Sequence, residues 1–254
     1  MAAPLIETTD YTLGKGKVLF QAETTFTGKY RDLGNASAFS VSIETENLDH
    51  YSSRTGTKTK DKDIVTQITA KGSLTLDDVN INNIKEWFFG SSITHTSQTI
   101  DASATSNLTA SKGKWVEIGK YNITTLVVKD VTDVNTYVLG TDYEVDLSAG
   151  LLRVLEGSVI LEDAVLHLSY VVPALNHYLV DGLQSNSVKG HLFFVGNPPT
   201  GKIQDLKGYV SLKPTGDFAF IGEEWQNMQF EIEFISDANY SGIVDFIERG
   251  TVAE

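Results

Sequence analysis

Apolar and polar residues alternate along much of this chain with a period of two, which is typical of strands buried on one face. The clearest run begins at Phe39, where Phe39, Val41 and Ile43 alternate with polar residues. The same alternation resumes over residues 64–76. The two runs predict a long β-hairpin with one face in the core and the other in water.

A polar segment, residues 47–63, separates these two runs and is dominated by Ser, Thr, Lys and Asp. Such a composition cannot build a core, so the sequence predicts a long loop that is mobile in the monomer. A loop of this length between paired strands normally has a purpose beyond turning the chain.

Residues 80–90 change to a helical period. Asn80 can cap the first turn of a helix, and Gly90 can end the last one. The predicted packing face consists of the apolar side chains at helical spacing: Ile81, Ile84, Trp87 and Phe88. A second short helix is predicted over residues 243–247, near the C-terminus.

The second half of the chain returns to strand patterns. Residues 91–112 are rich in Ser, Thr and Ala and predict either a flexible connection or a poorly specified strand region. Short apolar runs between Trp115 and Pro173 predict a self-contained β module. We therefore predict a mainly β protein with a discontinuous main domain, 1–105 and 175–254, and an inserted small β domain, 106–174.

Composition narrows the functional classes. The chain of 254 residues has 20 Lys and Arg against 33 Asp and Glu, giving a formal net charge of −13, and it has no Cys. The lack of Cys excludes disulfides and thiolate metal sites, and the acidic excess argues against a groove that holds phosphate. No apolar run is long enough to span a bilayer, and the N-terminus is too acidic for a signal peptide, so we expect no membrane insertion and synthesis in a cytoplasm.

No arrangement of residues predicts catalysis. The five histidines are scattered, without the spacing that brings two imidazoles to one metal. The pairs Glu44 and Glu46, and Glu231 and Glu233, alternate along strands, as carboxylates on a solvated face do. We predict no enzyme activity, no catalytic or metal-binding residue, and no cofactor.

Several segments of the chain, taken in order, carry a resemblance to a known family. They are YTLGKGKVLF from Tyr11, DLGN from Asp32, FSVSIETENLDHYSS from Phe39, KDKD from Lys60, FFVGNPPTGK from Phe193 and LKPTGDFAFIGEEW from Leu212. Together they resemble the major tail tube proteins of bacteriophages with long non-contractile tails, and the likeness covers residues 11–90 and 190–235.

This resemblance implies two packed β-sheets with one flanking helix, and hexameric rings that stack into a tube with a shared inner β-barrel. The implied partners are further copies of the chain, a tape measure protein and tail tip or terminator proteins. Double-stranded DNA would pass without adhering. The tube would be assembled in the host bacterial cytoplasm and belong to the virion tail, with the 106–174 insertion on its outer surface.

Two sets of residues are candidates for the tube's function. The first set, on the wet strand faces, is expected to line the lumen: Ser42, Glu44, Glu46, Glu231 and Glu233. The alternation alone leaves open whether that side faces the lumen or the exterior. The second set, in the 47–63 loop, is expected to contact a neighbouring subunit: Asp49, Tyr51, Arg54, Lys58, Lys60 and Lys62.

Two alternatives to a phage tail tube protein remain. A type VI secretion tube uses the same fold, so it is a rival within assembly proteins. A carbohydrate-binding β-sandwich is a rival from another class, and it needs a planar set of exposed aromatic rings. The three Trp residues show no shared face in the sequence.

Overall fold

The computed structural model describes residues 11–22, 25–54 and 56–251. These residues form sixteen β-strands and one α-helix, which confirms the predicted mainly β class. In chain order the elements are β1 (Gly16–Gln21), β2 (Arg31–Asp32), β3 (Ala36–Ser52), β4 (Thr59–Leu76), α1 (Ile81–Trp87), β5 (Ile93–Gln98), β6 (Asp101–Thr109), β7 (Trp115–Glu117), β8 (Thr124–Asp130), β9 (Tyr143–Asp146), β10 (Leu151–Val154), β11 (Val165–Val172), β12 (Leu175–Val180), β13 (Val188–Gly196), β14 (Lys202–Thr215), β15 (Met228–Ile235) and β16 (Asp245–Thr251).

The chain divides into two compact units. The first contains the described residues up to Ile93 and from Val180 onwards, and the second is Thr94–Leu179. The second unit is wider than the 106–174 insertion expected from the sequence. The reason is that residues 91–112 form strands rather than a flexible connection: β5 pairs with β12, and β6 pairs with β11.

An antiparallel sheet of eight strands forms the first unit. Its order is β2-β1-β13-β14-β15-β4-β3, and β16 pairs with β14. Strand β15 shows how the sequence builds the core, because every second side chain from Met228 to Phe234 is buried. Full burial of each such side chain contributes about 1.5 to 3 kcal/mol. The other fully buried large side chains of this core are Phe20, Leu33, Leu74, Leu76, Leu192 and Leu212.

The β3–β4 hairpin confirms one prediction and corrects another. The strands pair over almost their entire length, from Ala36 opposite Leu76 to Ser52 opposite Thr59. The long loop predicted over residues 47–63 is therefore wrong, since only residues 53–58 connect the strands. Backbone pairing and polar cross-strand contacts hold this part of the hairpin in place. The amino-acid composition of the segment does not reveal such pairwise contacts.

Helix α1 begins as predicted, at Asn80. The Asn80 side chain accepts hydrogen bonds from the backbone amides of Asn82 and Asn83, at 3.1 and 3.0 Å. The helix ends earlier than expected, because Phe89 takes the left-handed conformation, with φ of 51°. The Gly90 amide then donates to the Lys85 carbonyl at 2.8 Å, closing the C-terminal turn. The helix spans seven residues, and no helix in the described part of the chain could cross a membrane.

The predicted packing face of α1 lies against the sheet only in part. Ile84 and Trp87 contact the core, and Ile81 is half-buried. Phe88 is also half-buried, with its ring 4.9 Å from that of Trp87 between centroids. The two buried residues of the helix are polar, Asn83 and Glu86. The spacing of apolar residues did not predict their burial.

Asn83 joins the helix to the β1–β2 side of the sheet. Its side-chain amide donates to the backbone carbonyls of Leu33 and Asp78, both at 2.8 Å. Its side-chain carbonyl accepts from the Arg31 guanidinium at 2.6 Å. Glu86 lies 4.0 Å from the same guanidinium, and burial raises the pKa of this carboxyl.

The predicted C-terminal helix over residues 243–247 is wrong, because this segment enters strand β16. Apolar runs of this length do not distinguish a strand from a helix. Pairing with β14 and an ion pair decide the outcome here. The Arg249 guanidinium bonds the Asp205 carboxylate at 2.6 and 2.9 Å, and donates to the Gly196 carbonyl at 2.9 Å.

We expect Asp205→Asn to flatten the acid dependence of stability. Burial raises the pKa of the Asp205 carboxyl, but hydrogen bonds from Arg249 and the Gly196 amide outweigh burial and hold the pKa below its usual value. Stability from this group is therefore complete above the ordinary Asp pKa of about 3.9 and is lost as pH falls through the lower, folded value. Urea unfolding between neutral pH and pH 2 measures this.

The matched control is Asp217→Asn, at an exposed carboxylate. It should keep the wild-type dependence on pH. An Asp205→Asn curve parallel to the wild-type curve throughout would contradict the assignment.

The second unit has a core of its own. Two antiparallel three-stranded sheets, β6-β11-β8 and β7-β10-β9, pack their apolar residues together. Its fully buried large side chains are Ile123, Leu152, Ile160, Leu166 and Leu168. Strands β5 and β12 form a separate two-stranded sheet where the chain enters and leaves this unit.

Candidate assembly surface

The predicted lumen residues share one exposed face of the first unit's sheet. Glu233 lies opposite Lys71, and Lys71 lies opposite Ser42 on the next strand. Glu231 occupies the adjoining row of the same face, opposite Ser73. Glu44 and Glu46 continue along β3, opposite Thr69 and Gln67. The structure thus brings the five predicted residues onto a single polar surface.

Lysines on neighbouring strands neutralise part of this surface. The Lys213 ammonium lies 2.7 Å from the Glu233 carboxylate, and the Lys71 ammonium lies 2.8 Å from the Glu44 carboxylate. These hydrogen bonds raise the pKa of both lysines, and Lys213 lowers the pKa of Glu233. The face therefore carries mixed charge and not carboxylates alone. Only the register of the strands shows which carboxylates Lys71 and Lys213 meet.

The outer part of the β3–β4 hairpin extends beyond the core. In β4, which runs from the turn toward the core, Ala70 is the first buried residue, and every residue from Thr59 to Ile68 is exposed. We call its paired residues, 47–52 and 59–65, the ribbon. Large apolar side chains of the ribbon and of the adjoining part of the hairpin are exposed, and they lie on both faces: Ile43, Leu48, Tyr51, Ile64, Val65 and Ile68. Monomeric proteins rarely leave so many large apolar side chains uncovered on one element.

The cations of the ribbon and its turn fall into two kinds. Lys60 is engaged within the chain, at 2.6 Å from Asp49 and 3.7 Å from Asp63, and the Asp49 hydrogen bond raises its pKa. The Tyr51 hydroxyl donates to Asp49 at 3.3 Å. No carboxylate of a described residue lies within ion-pair distance of Arg54, Lys58 or Lys62. Three of the predicted contact residues are thus available to a partner.

Strand β3 lies at one end of the sheet. Within the described residues, no strand pairs with its outer edge, although β3 is 17 residues long. A long exposed edge offers backbone donors and acceptors to another chain, and soluble monomers usually shorten or cover such edges. This edge is therefore a second candidate contact.

A cavity of about 350 Å³ runs beside the inner part of β3. Its lining includes Phe39, Phe194 and Leu206, and its titratable side chains are Lys15 and Asp205. Asp205 is already occupied by Arg249 and the Gly196 amide. Among the residues that the structure describes, no three His, Asp or Glu side chains are grouped as ligands for a metal ion.

Comparison with protein families places the chain in one of them. Residues 11–243 fit the family described as "protein of unknown function UCP028589", and the chain belongs to this family. The match covers both compact units. No curated protein matches the sequence significantly.

Proposed function

We propose that this chain is the structural subunit of a bacteriophage tail tube, which assembles into stacked hexameric rings that conduct DNA during ejection. The observation that carries the proposal is the β3–β4 hairpin: its outer part projects beyond the core, exposes apolar side chains, and leaves the edge of β3 unpaired. Another copy of the chain can cover both features. The ordered resemblance to tail tube proteins over residues 11–90 and 190–235 supports the same function.

The polar face of the sheet fits the lining of a DNA conduit. Glu46 and Glu231 make no ion pair with a described residue, so they leave this face a net negative charge that repels phosphate. The lysines of that face at positions 71 and 213 are held by carboxylates, so their charge is already compensated within the protein. Such a surface lets DNA slide without adhering. We place Ser42, Glu44 and Glu233 on this lumen face as well.

The tube would be assembled with other tail proteins. A tape measure protein would set the length of the tube, and tail tip and terminator proteins would close its two ends. The mature protein would be located in the virion tail after assembly in the host cytoplasm. The second unit, Thr94–Leu179, would lie on the outer surface of the tube.

Electron microscopy of the concentrated, purified chain tests this function. We expect rings or tubes of constant diameter, because the exposed hairpin and strand edge favour regular association. Sedimentation velocity on the same sample should show large assemblies that dissociate on dilution. A chain that remains monomeric at high concentration, with and without an added tail tip initiator, would contradict the proposal.

A further inference from the structure

Residues 217–227, which we call the acidic loop, expose three large apolar side chains. Phe220, Ile221 and Trp225 are 75%, 96% and 95% exposed. The loop is anchored from beneath by aromatic contacts, with the Phe218 ring 5.6 Å from that of Trp87 and 4.9 Å from that of Phe220. The Gln226 side chain also donates to the Ala219 carbonyl at 2.8 Å. The apolar groups are therefore presented on a loop that is tied to the fold.

The charge of this loop is entirely negative. Asp217, Glu223 and Glu224 are exposed, and the loop contains no Lys, Arg or His. Exposed apolar side chains ringed by charge of one sign are typical of an interaction surface rather than of a turn. A partner that fits would be basic and would carry its own apolar residues.

The ribbon of the same protein, together with the turn over residues 53–58 that closes it, has this chemistry. Leu48 and Ile64 lie directly opposite each other and are both exposed. Beyond them lie the cations without a carboxylate partner among the described residues: Arg54, Lys58 and Lys62. The ribbon's own carboxylates, Asp49, Asp61 and Asp63, lie within ion-pair distance of Lys60 or His50, so these remaining cations and the apolar pair complement the acidic loop.

One copy of the chain cannot join these two surfaces. The acidic loop leads into Met228, which pairs with Leu76 at the inner end of β4. The turn of the ribbon follows Ser52, at the outer end of β3. Leu48 follows Ala36 by 12 positions along β3, so at about 3.3 Å per residue the strand places the ribbon's apolar pair up to roughly 40 Å from the end that carries the acidic loop. The two complementary surfaces thus lie toward opposite ends of one hairpin.

We infer that the ribbon of one copy docks on the acidic loop of a second copy. The contact joins different surfaces of the two copies, so it repeats head to tail. Apolar contact between Leu48 and Ile64 of one copy and Ile221 and Trp225 of the next would supply the binding energy, and the charges would fix the pairing. This inference rests on the proposed function only in taking the assembled tube as the state in which the contact forms.

A charge-exchange experiment tests the docking. The first variant reverses three positive charges of the ribbon and its turn, and the second reverses the three negative charges of the acidic loop. Each variant alone should raise the critical concentration for assembly roughly tenfold or more, because like charges then face each other. A third variant carries both reversals and should assemble near the wild-type concentration. The substitutions are Arg54→Glu, Lys58→Glu and Lys62→Glu for the ribbon and its turn, and Asp217→Lys, Glu223→Lys and Glu224→Lys for the acidic loop.

Each outcome separates the docking from the wider function. Normal assembly of the acidic-loop variant, or no rescue in the third variant, would overturn the docking and leave the tube proposal standing. Failure of the wild type to assemble would overturn the tube proposal itself, and with it the docking. The control reverses three exposed lysines elsewhere, and should assemble normally: Lys29→Glu, Lys114→Glu and Lys120→Glu.

Discussion

Shortening the hairpin should abolish assembly and leave the fold intact. Glu46 and Gln67 are paired across β3 and β4, so an Asn-Gly turn can join them and replace residues 47–66. No residue of the first unit's core lies in the deleted segment. We therefore expect wild-type circular dichroism and cooperative melting, with no rings or tubes by electron microscopy at concentrations where the wild type assembles.

A second variant removes only the turn. An Asn-Gly turn between the paired residues Ser52 and Thr59 removes Arg54 and Lys58 but keeps the ribbon and its apolar side chains. It should assemble, at a higher critical concentration than the wild type. Normal tubes from the shorter hairpin would show that the ribbon is not needed for assembly.

Asn83→Ala should be the most damaging substitution in α1. Alanine removes two donors and one acceptor, and it leaves the Leu33 and Asp78 carbonyls without the bonds that Asn83 supplies. An unsatisfied buried polar group costs about 1 to 3 kcal/mol, so we expect unfolding to become easier by about 2 to 4 kcal/mol. Urea denaturation of the wild type and the variant measures this difference.

The control is Asn82→Ala, at the neighbouring exposed position of the same helix. Its side chain makes no hydrogen bond within the described structure, so the change should remain within about 0.5 kcal/mol. Equal effects of the two substitutions would show that Asn83 does not hold the helix to the sheet.

Strand alternation predicted the part of the fold that depends on burial. Phe39, Val41 and Met228–Ile235 show a period of two because one face of each strand lies against the core. The helix was predictable for a similar reason, since Asn80 and the apolar spacing are both local signals. The polar face of the sheet followed directly from the same pattern.

The remaining features depend on contacts between residues far apart in the sequence. Residues 47–52 and 59–63 form strands because they pair with each other and not because they are buried, so their composition predicted a loop. Asn83 reaches the Leu33 carbonyl only after the helix docks, and Arg249 meets Asp205 only once β16 pairs with β14. The ion pairs of Lys71 and Lys213 likewise depend on register, which alternation leaves undetermined.

The connection to the second unit has a practical consequence. The chain leaves the first unit along β5 and returns along β12, and these strands are hydrogen-bonded neighbours. Paired strands lie about 5 Å apart, so both attachment points fit a cargo domain whose own ends are adjacent. In the tube that we propose, an enzyme or fluorescent reporter grafted in place of residues 94–179 would be carried by every subunit, at a regular spacing.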